Sequence, residues 1–273
     1  KFEVNSYTGF EVQPDARLAY HLNDHDMLWA SFSRSVRTPA RYEDTANVNM
    51  SSLQNTMTLP FHSAFQLRGN SQIKAEILHA YELGYRSQLN EKISLDMSLF
   101  YNQYSDLTTY VVDQSTTNVF TSTTPIILNL TNQGSADSYG FEVSSNWQVN
   151  DDWRLGASYT FFRSDEDNSE GPSNNLEGSA PINAANLHSH YQIHESLSFH
   201  THAYYKDNIV IDNISQYIRL DTGLIWEIKK DLEMSFWAQN LLDDSHIERK
   251  DNNFGSDESH IQRSFYVQLT AKF

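Results

Sequence analysis

Apolar and polar residues alternate with period two along much of this chain, the pattern of strands with one face in apolar surroundings and the other in water. Residues 16–22 place Ala16, Leu18, Tyr20 and Leu22 on one face. A short turn at 23–26 leads into 27–34, where Leu28, Ala30 and Phe32 alternate with Trp29, Ser31 and Ser33. The same reading predicts hairpins from 77–87 with 93–103, 138–147 with 153–162, 184–193 with 197–205 and 215–228 with 232–240. In the second hairpin Tyr81, Leu83, Tyr85, Leu95, Met97, Leu99 and Tyr101 point outward, whereas Glu82, Gly84, Arg86, Asp96, Ser98 and Asn102 point inward. The last strand, from Ser264, sets Phe265, Val267, Leu269, Ala271 and Phe273 against Tyr266, Gln268, Thr270 and Lys272. That makes eleven strands, and residues 1–4 read as the stub of a twelfth.

The connections sort by length. Short turns alternate strictly with long loops at 38–76, 105–137, 163–180, 206–214 and 241–261. A sandwich has no reason to place its short and long connections at opposite ends, but an outer-membrane barrel does. The predicted fold is therefore all-β, an antiparallel transmembrane β-barrel. Bacterial single-chain barrels have an even number of strands. Two unpaired edges in lipid would expose on the order of ten backbone polar groups each, at several kcal/mol apiece. That exceeds a typical folding stability of about 5–15 kcal/mol, so the strands present are expected either to close as a small barrel or to belong to a larger one.

Composition narrows the class. Aromatic residues make up 13% of the chain although hydrophobic residues reach only 39%, which suits lipid-facing strands ringed by Tyr, Trp and Phe. No run approaches the ~18 apolar residues of a spanning helix. A net charge of −16 argues against a nucleic-acid partner, and the lack of cysteine removes disulfides, thiolate zinc sites and cysteine nucleophiles.

Candidate chemistry rests on histidine and arginine. If the hairpin at 184–205 pairs residues whose numbers sum to 390, His190 faces His200 and His188 faces His202 on the inward side, with Cβ atoms about 4.5–5.5 Å apart. Four imidazoles suit a divalent metal; polar filling of the lumen is the plainer reading. Arg34, Arg37 and Arg41, at the mouth, suit steering of an anionic ligand, or pairing with Glu43 and Asp44. Asp165-Glu166-Asp167-Asn168 and Asp257-Glu258 read as solvated loop charge that also suits divalent cations bridging lipopolysaccharide. His194-Glu195 lacks a zincin's second histidine, and no nucleophile elbow, P-loop or dinucleotide fingerprint occurs. No catalytic residue and no cofactor are expected. The rival classes are a complete small barrel acting as a phospholipase-like enzyme, its Ser and His on neighbouring strands, and a passive porin.

Several motifs in order resemble one family. Ser33-Arg34-Ser35-Val36-Arg37-Thr38-Pro39 is similar to a strand end of the TonB-dependent receptors. Asn70 to Glu76 resembles their Asn-Pro-Asn-Leu-Lys-Pro-Glu element, and Tyr81 to Arg86 the strand after it. Asp96 to Asp106, Tyr139-Gly140-Phe141-Glu142 and Gln239-Asn240-Leu241-Leu242-Asp243 resemble later strands. The resemblance spans essentially the whole chain. It implies the C-terminal part, residues 1–273, of a 22-stranded barrel in the bacterial outer membrane, with a plug domain and TonB box outside this sequence. It further implies uptake of a scarce nutrient, foremost an iron chelate of the siderophore class. The implied partners are that small-molecule ligand, outer-membrane lipid and lipopolysaccharide, the barrel-assembly machinery, and the TonB complex through the N-terminal region. Phe265, Val267, Leu269 and Phe273 match the family's membrane-assembly signal. His62 lies in the loop where haem-transporting members place a haem ligand, which makes haem the alternative substrate.

Overall fold

A computed structural model describes residues 1–50, 65–113, 115, 126–167, 178–250 and 258–272. The strands are β1 (Phe2–Asn5), β2 (Gly9–Val12), β3 (Asp15–His21), β4 (Asp26–Arg37), β5 (Asn47–Met50), β6 (Phe65–Arg68), β7 (Glu76–Asn90), β8 (Ile93–Val112), β9 (Ile126–Asn150) and β10 (Trp153–Asp167). They continue with β11 (Asn183–His194), β12 (Leu197–Lys206), β13 (Tyr217–Lys229), β14 (Leu232–Gln239), β15 (Ser245–Arg249), β16 (Ser259–Gln262) and β17 (Ser264–Ala271). One short helix, α1 (Arg41–Thr45), follows β4.

The main sheet follows the order β17-β14-β13-β12-β11-β10-β9-β8-β7-β4-β3. These are the eleven segments read from the alternation, each antiparallel to its neighbours along the path. The path does not close among the described residues: β3 and β17 are its ends. Register follows the pleat. Leu83 pairs with Leu99 and Leu99 with Phe141, whereas Phe236 pairs with Val267; all five are exposed hydrophobic residues on one face. An apolar band of this kind on a protein surface is the face a bilayer covers. Stacked or tilted rings tie neighbouring strands within it, including Phe32 with Tyr81 at 5.2 Å and Phe141 with Phe161 at 5.7 Å. The opposite face is polar: Ser31 donates to Glu82 at 2.9 Å, and Arg86 to Asp96 at 2.6 Å.

Residues 1–4 do not form a twelfth strand of this sheet. β1 folds back on β2 as a separate hairpin, with Phe2 opposite Val12, because the tight turn between them brings Phe2 and Phe10 into a stack at 6.0 Å. The expected loop at 105–137 is largely strand as well. β8 runs on to Val112 and β9 begins at Ile126, with a bulge around Tyr104 to Thr109 and Asp106 at φ 54° that redirects the hairpin. Alternation fails as a guide here because adjacent Ile127 and Leu128, whose side chains point to opposite faces, are both buried, in the stretch where β6 joins β9 in parallel. Asp165, Glu166 and Asp167 likewise belong to the end of β10, opposite Asp137, Ala136 and Ser135, and are not loop. Two more hairpins, β5 with β6 and β15 with β16, lie inside segments expected to be loops.

Candidate functional site

The rim at the long-loop end is stitched by two polar knots. In the first, Arg37 at the end of β4 faces the lumen directly opposite Glu76, the first residue of β7. Its guanidinium bridges Glu76 and Glu43, the latter at 2.9 Å, and reaches the Thr108 hydroxyl at 3.3 Å. Glu43 is 1% exposed. It accepts the Ala40 N–H at 2.7 Å and the Tyr42 hydroxyl at 3.2 Å, closing the first turn of α1 as a capping-box glutamate does. Glu76 accepts the Thr108 N–H at 3.0 Å. Residues 70–75 are sewn onto the β8–β9 hairpin below. Asn70 donates to the Leu130 carbonyl, while Asn132 accepts the Lys74 N–H at 2.6 Å and donates to the Asp106 carbonyl at 2.8 Å. Ile73 and Ala75 in this segment are buried.

The second knot closes the β15–β16 hairpin onto the end of β13. Asn240 is fully buried at φ 53°, a left-handed conformation that asparagine tolerates better than most residues. Its backbone N–H donates to Asp221 at 2.9 Å and its side-chain amide to the Ile261 carbonyl at 3.0 Å. That fixes the amide with Oδ1 toward His246 Nδ1, 3.2 Å away. His246 stacks on Tyr217 at 4.1 Å and reaches Glu248 through Nε2 at 3.0 Å. Burial alone would raise the Glu248 carboxyl. The His246 bond, the nearby Lys206 charge and the Tyr217 hydroxyl outweigh burial and hold the carboxyl below its ordinary value. Asn240→Ala strands two partners and places alanine in the left-handed region. It is expected to cost about 2 kcal/mol, seen as faster amide exchange confined to 241–263.

The three arginines part company. Arg34 shares the outward face with Leu28 and Phe32; it pairs with Glu11 at 3.4 Å and donates to the Val12 carbonyl, so it does not enter the lumen. Arg37 is committed to Glu43 and Glu76. Arg41 opens α1, is exposed, and makes no ion pair among the described residues. Asp44 takes none of them; Glu11 and Glu76 stand in its place. His62 lies outside the described residues, as does Phe273. Phe265, Val267 and Leu269 are at 70%, 62% and 60% exposure on the outward face.

The histidines stand in the predicted register, His188 opposite His202 and His190 opposite His200, on the lumen face. They do not gather as four. His188 and His202 rings are 6.4 Å apart, and among the described residues no group of three or more His, Cys, Asp or Glu is placed to hold a metal. His188 instead lies over Gly156 on β10, where a Cβ would sit 2.0 Å from its ring. Trp237 lies over Gly223 in the same way and comes within 6.1 Å of both His200 and His202. Glycine opposite a ring lets the ring lie flat on the wall and rescues the missing side chain's packing.

Alternating faces, an apolar outer band and a rim of stitched loops define a membrane-spanning barrel wall. The chain belongs to the family described as "TonB dependent receptor-like, beta-barrel", which matches residues 1–241. It therefore lies in the outer membrane and belongs with receptors rather than enzymes, which removes the phospholipase and porin readings. Among solved structures it is similar to the siderophore receptor PirA from Acinetobacter baumannii, with TM-score 0.78 and 19% identity over 100% of this chain and 42% of that one. A variant of the ferric enterobactin receptor PfeA from Pseudomonas aeruginosa gives 0.74 and 18% over 98% and 41%. The ferric-catecholate import receptor Fiu from E. coli gives 0.70 and 18% over 97% and 35%. The chain thus spans less than half the length of these receptors. No curated protein sequence matches it.

Proposed function

We propose that this chain is part of the barrel wall of a receptor that takes up an iron chelate of the siderophore class, energised through the TonB complex by regions of the receptor beyond these strands. The supporting observation is the likeness to receptors named for siderophores over 98–100% of this chain. Arg41 adds a local reason: it is an exposed cation at the rim that makes no ion pair among the described residues, a placement that suits attraction of an anionic chelate. Haem stays the alternative substrate; its candidate ligand His62 lies outside the described residues.

The test is fluorescence titration of the receptor in detergent with ferric catecholate, ferric hydroxamate and haemin. One ferric siderophore is expected to saturate the receptor, and Arg41→Glu to weaken it about tenfold, or about 1.4 kcal/mol. Saturation by haemin alone, abolished by His62→Ala, would replace this reading with haem uptake.

A further inference from the structure

We infer that His190 and His200 form a two-imidazole clip on the lumen wall that takes a first-row divalent cation, copper(II) or zinc. The two residues are direct cross-strand partners on β11 and β12, and their Nδ1 atoms face each other at 3.4 Å, with ring centroids 4.5 Å apart and planes inclined by 63°. A good hydrogen bond between ring nitrogens draws them in to about 3 Å. Two nitrogens each about 2.0–2.1 Å from a tetrahedral zinc stand about 3.3–3.4 Å apart. The observed spacing equals that of two ligands on one ion and stands at the long end for a hydrogen bond between the two rings.

The surroundings orient the ligands. His200 Nε2 lies 3.0 Å from the hydroxyl of Ser198, itself buried. An Nε2–H donated to that hydroxyl leaves the Nδ1 lone pair directed at His190, the outer-shell bond that typically fixes a metal-binding imidazole. The cation nearest in register, Arg154 opposite His190 on β10, is turned to Gln148 at 3.1 Å. Asp221 is bound by Arg219 at 2.7 Å and faces His202 rather than the clip. Two protein ligands remain, with the other positions open to water. Imidazole suits both ions, and the divalent series puts copper(II) first. The inference stands apart from the transported ligand, because the clip is part of the wall and not the rim.

The test titrates the tag-free receptor in detergent with copper(II) and with zinc, using calorimetry, and records the copper electron paramagnetic resonance spectrum. One high-affinity equivalent is expected, with two imidazole nitrogens coupled to copper. His190→Ala and His200→Ala should each weaken binding about tenfold or more, whereas His188→Ala leaves it unchanged. Equal binding by wild type and the His190→Ala/His200→Ala double variant would overturn the clip, as would equal weakening by all three single variants. The wild-type spectrum decides the matter even where a variant folds poorly, since a signal with fewer than two coupled imidazoles overturns it as well.

Discussion

Gly140→Val is expected to leave the barrel wall unassembled. Gly140 sits on β9 between Phe100 of β8 and Phe162 of β10. A Cβ there would lie 2.0 Å from the Phe161 carbonyl oxygen and 2.7 Å from the Phe100 ring. A ring can swing aside, but the backbone of a paired neighbouring strand moves only by parting the β9–β10 ladder. Overpacking costs about 1–3 kcal/mol where side chains can adjust. With backbone in the way, the valine variant is placed at about 3 kcal/mol or more, a large share of a typical stability of about 5–15 kcal/mol. Heat-modifiable gel migration and urea unfolding read this directly. Gly223→Ala is the control, because what its methyl meets is the movable Trp237 ring, and it should cost clearly less. Folded Gly140→Val with an unchanged urea midpoint would contradict the close approach of β10 to Gly140.

The second large effect is at the rim. Glu43→Ala removes a carboxylate that is 1% exposed and serves Arg37, Ala40 and Tyr42 together. Breaking a fully buried pair costs about 3–5 kcal/mol. Here the Arg37 side chain is 48% exposed and keeps Glu76, so solvent and the second carboxylate reduce the loss to about 2–3 kcal/mol. The change should be local. Hydrogen exchange should accelerate across the described parts of 38–76 while 80–103 stays protected, and Glu43→Gln, which still accepts the Ala40 N–H, should fall between. Uniform exchange in both regions would mean that the knot does not hold the loop base.

How far the sequence could be read depends on what each segment touches. The eleven strands of the main path were legible because lipid on one side and water on the other impose a period of two, and Leu83, Met97 and Leu99 obey it. The outer ends of β8 and β9 were not, because Ile127 and Leu128 are covered on both faces and their alternation vanishes. The His190–His200 register followed from a three-residue count about the turn; that His188 and His202 stay apart depends on His188 lying over Gly156, a packing detail with no sequence signal. Glu76 and Asn240 stood inside recognisable motifs, although their roles as acceptor for Thr108 and as the buried centre of the His246 knot appear only when the strands are assembled. Asn132 carried no signal at all. Its use comes from a bulge that brings Asp106 and Lys74 to one amide. For Arg34, charge alone points to the mouth, whereas strand parity sets it on the face of Leu28 and Phe32, where it pairs with Glu11.

Each strand of the main path shows one face to lipid and the other to the lumen, and because this chain has no cysteine, labelling sites can be introduced along it one at a time, with any cysteine elsewhere in the receptor replaced by serine. Nitroxide labels would be placed singly at Leu83, Tyr85, Met97 and Leu99, and at Glu82, Asp96, Ser98 and Asn102, in the receptor reconstituted in bilayers. Relaxation by oxygen and by a water-soluble nickel complex would then be compared at each position. The structure predicts high oxygen and low nickel accessibility for the first four and the reverse for the second four. Accessibility that varies smoothly along β7 and β8 without alternating, or that alternates with the faces exchanged, would contradict it.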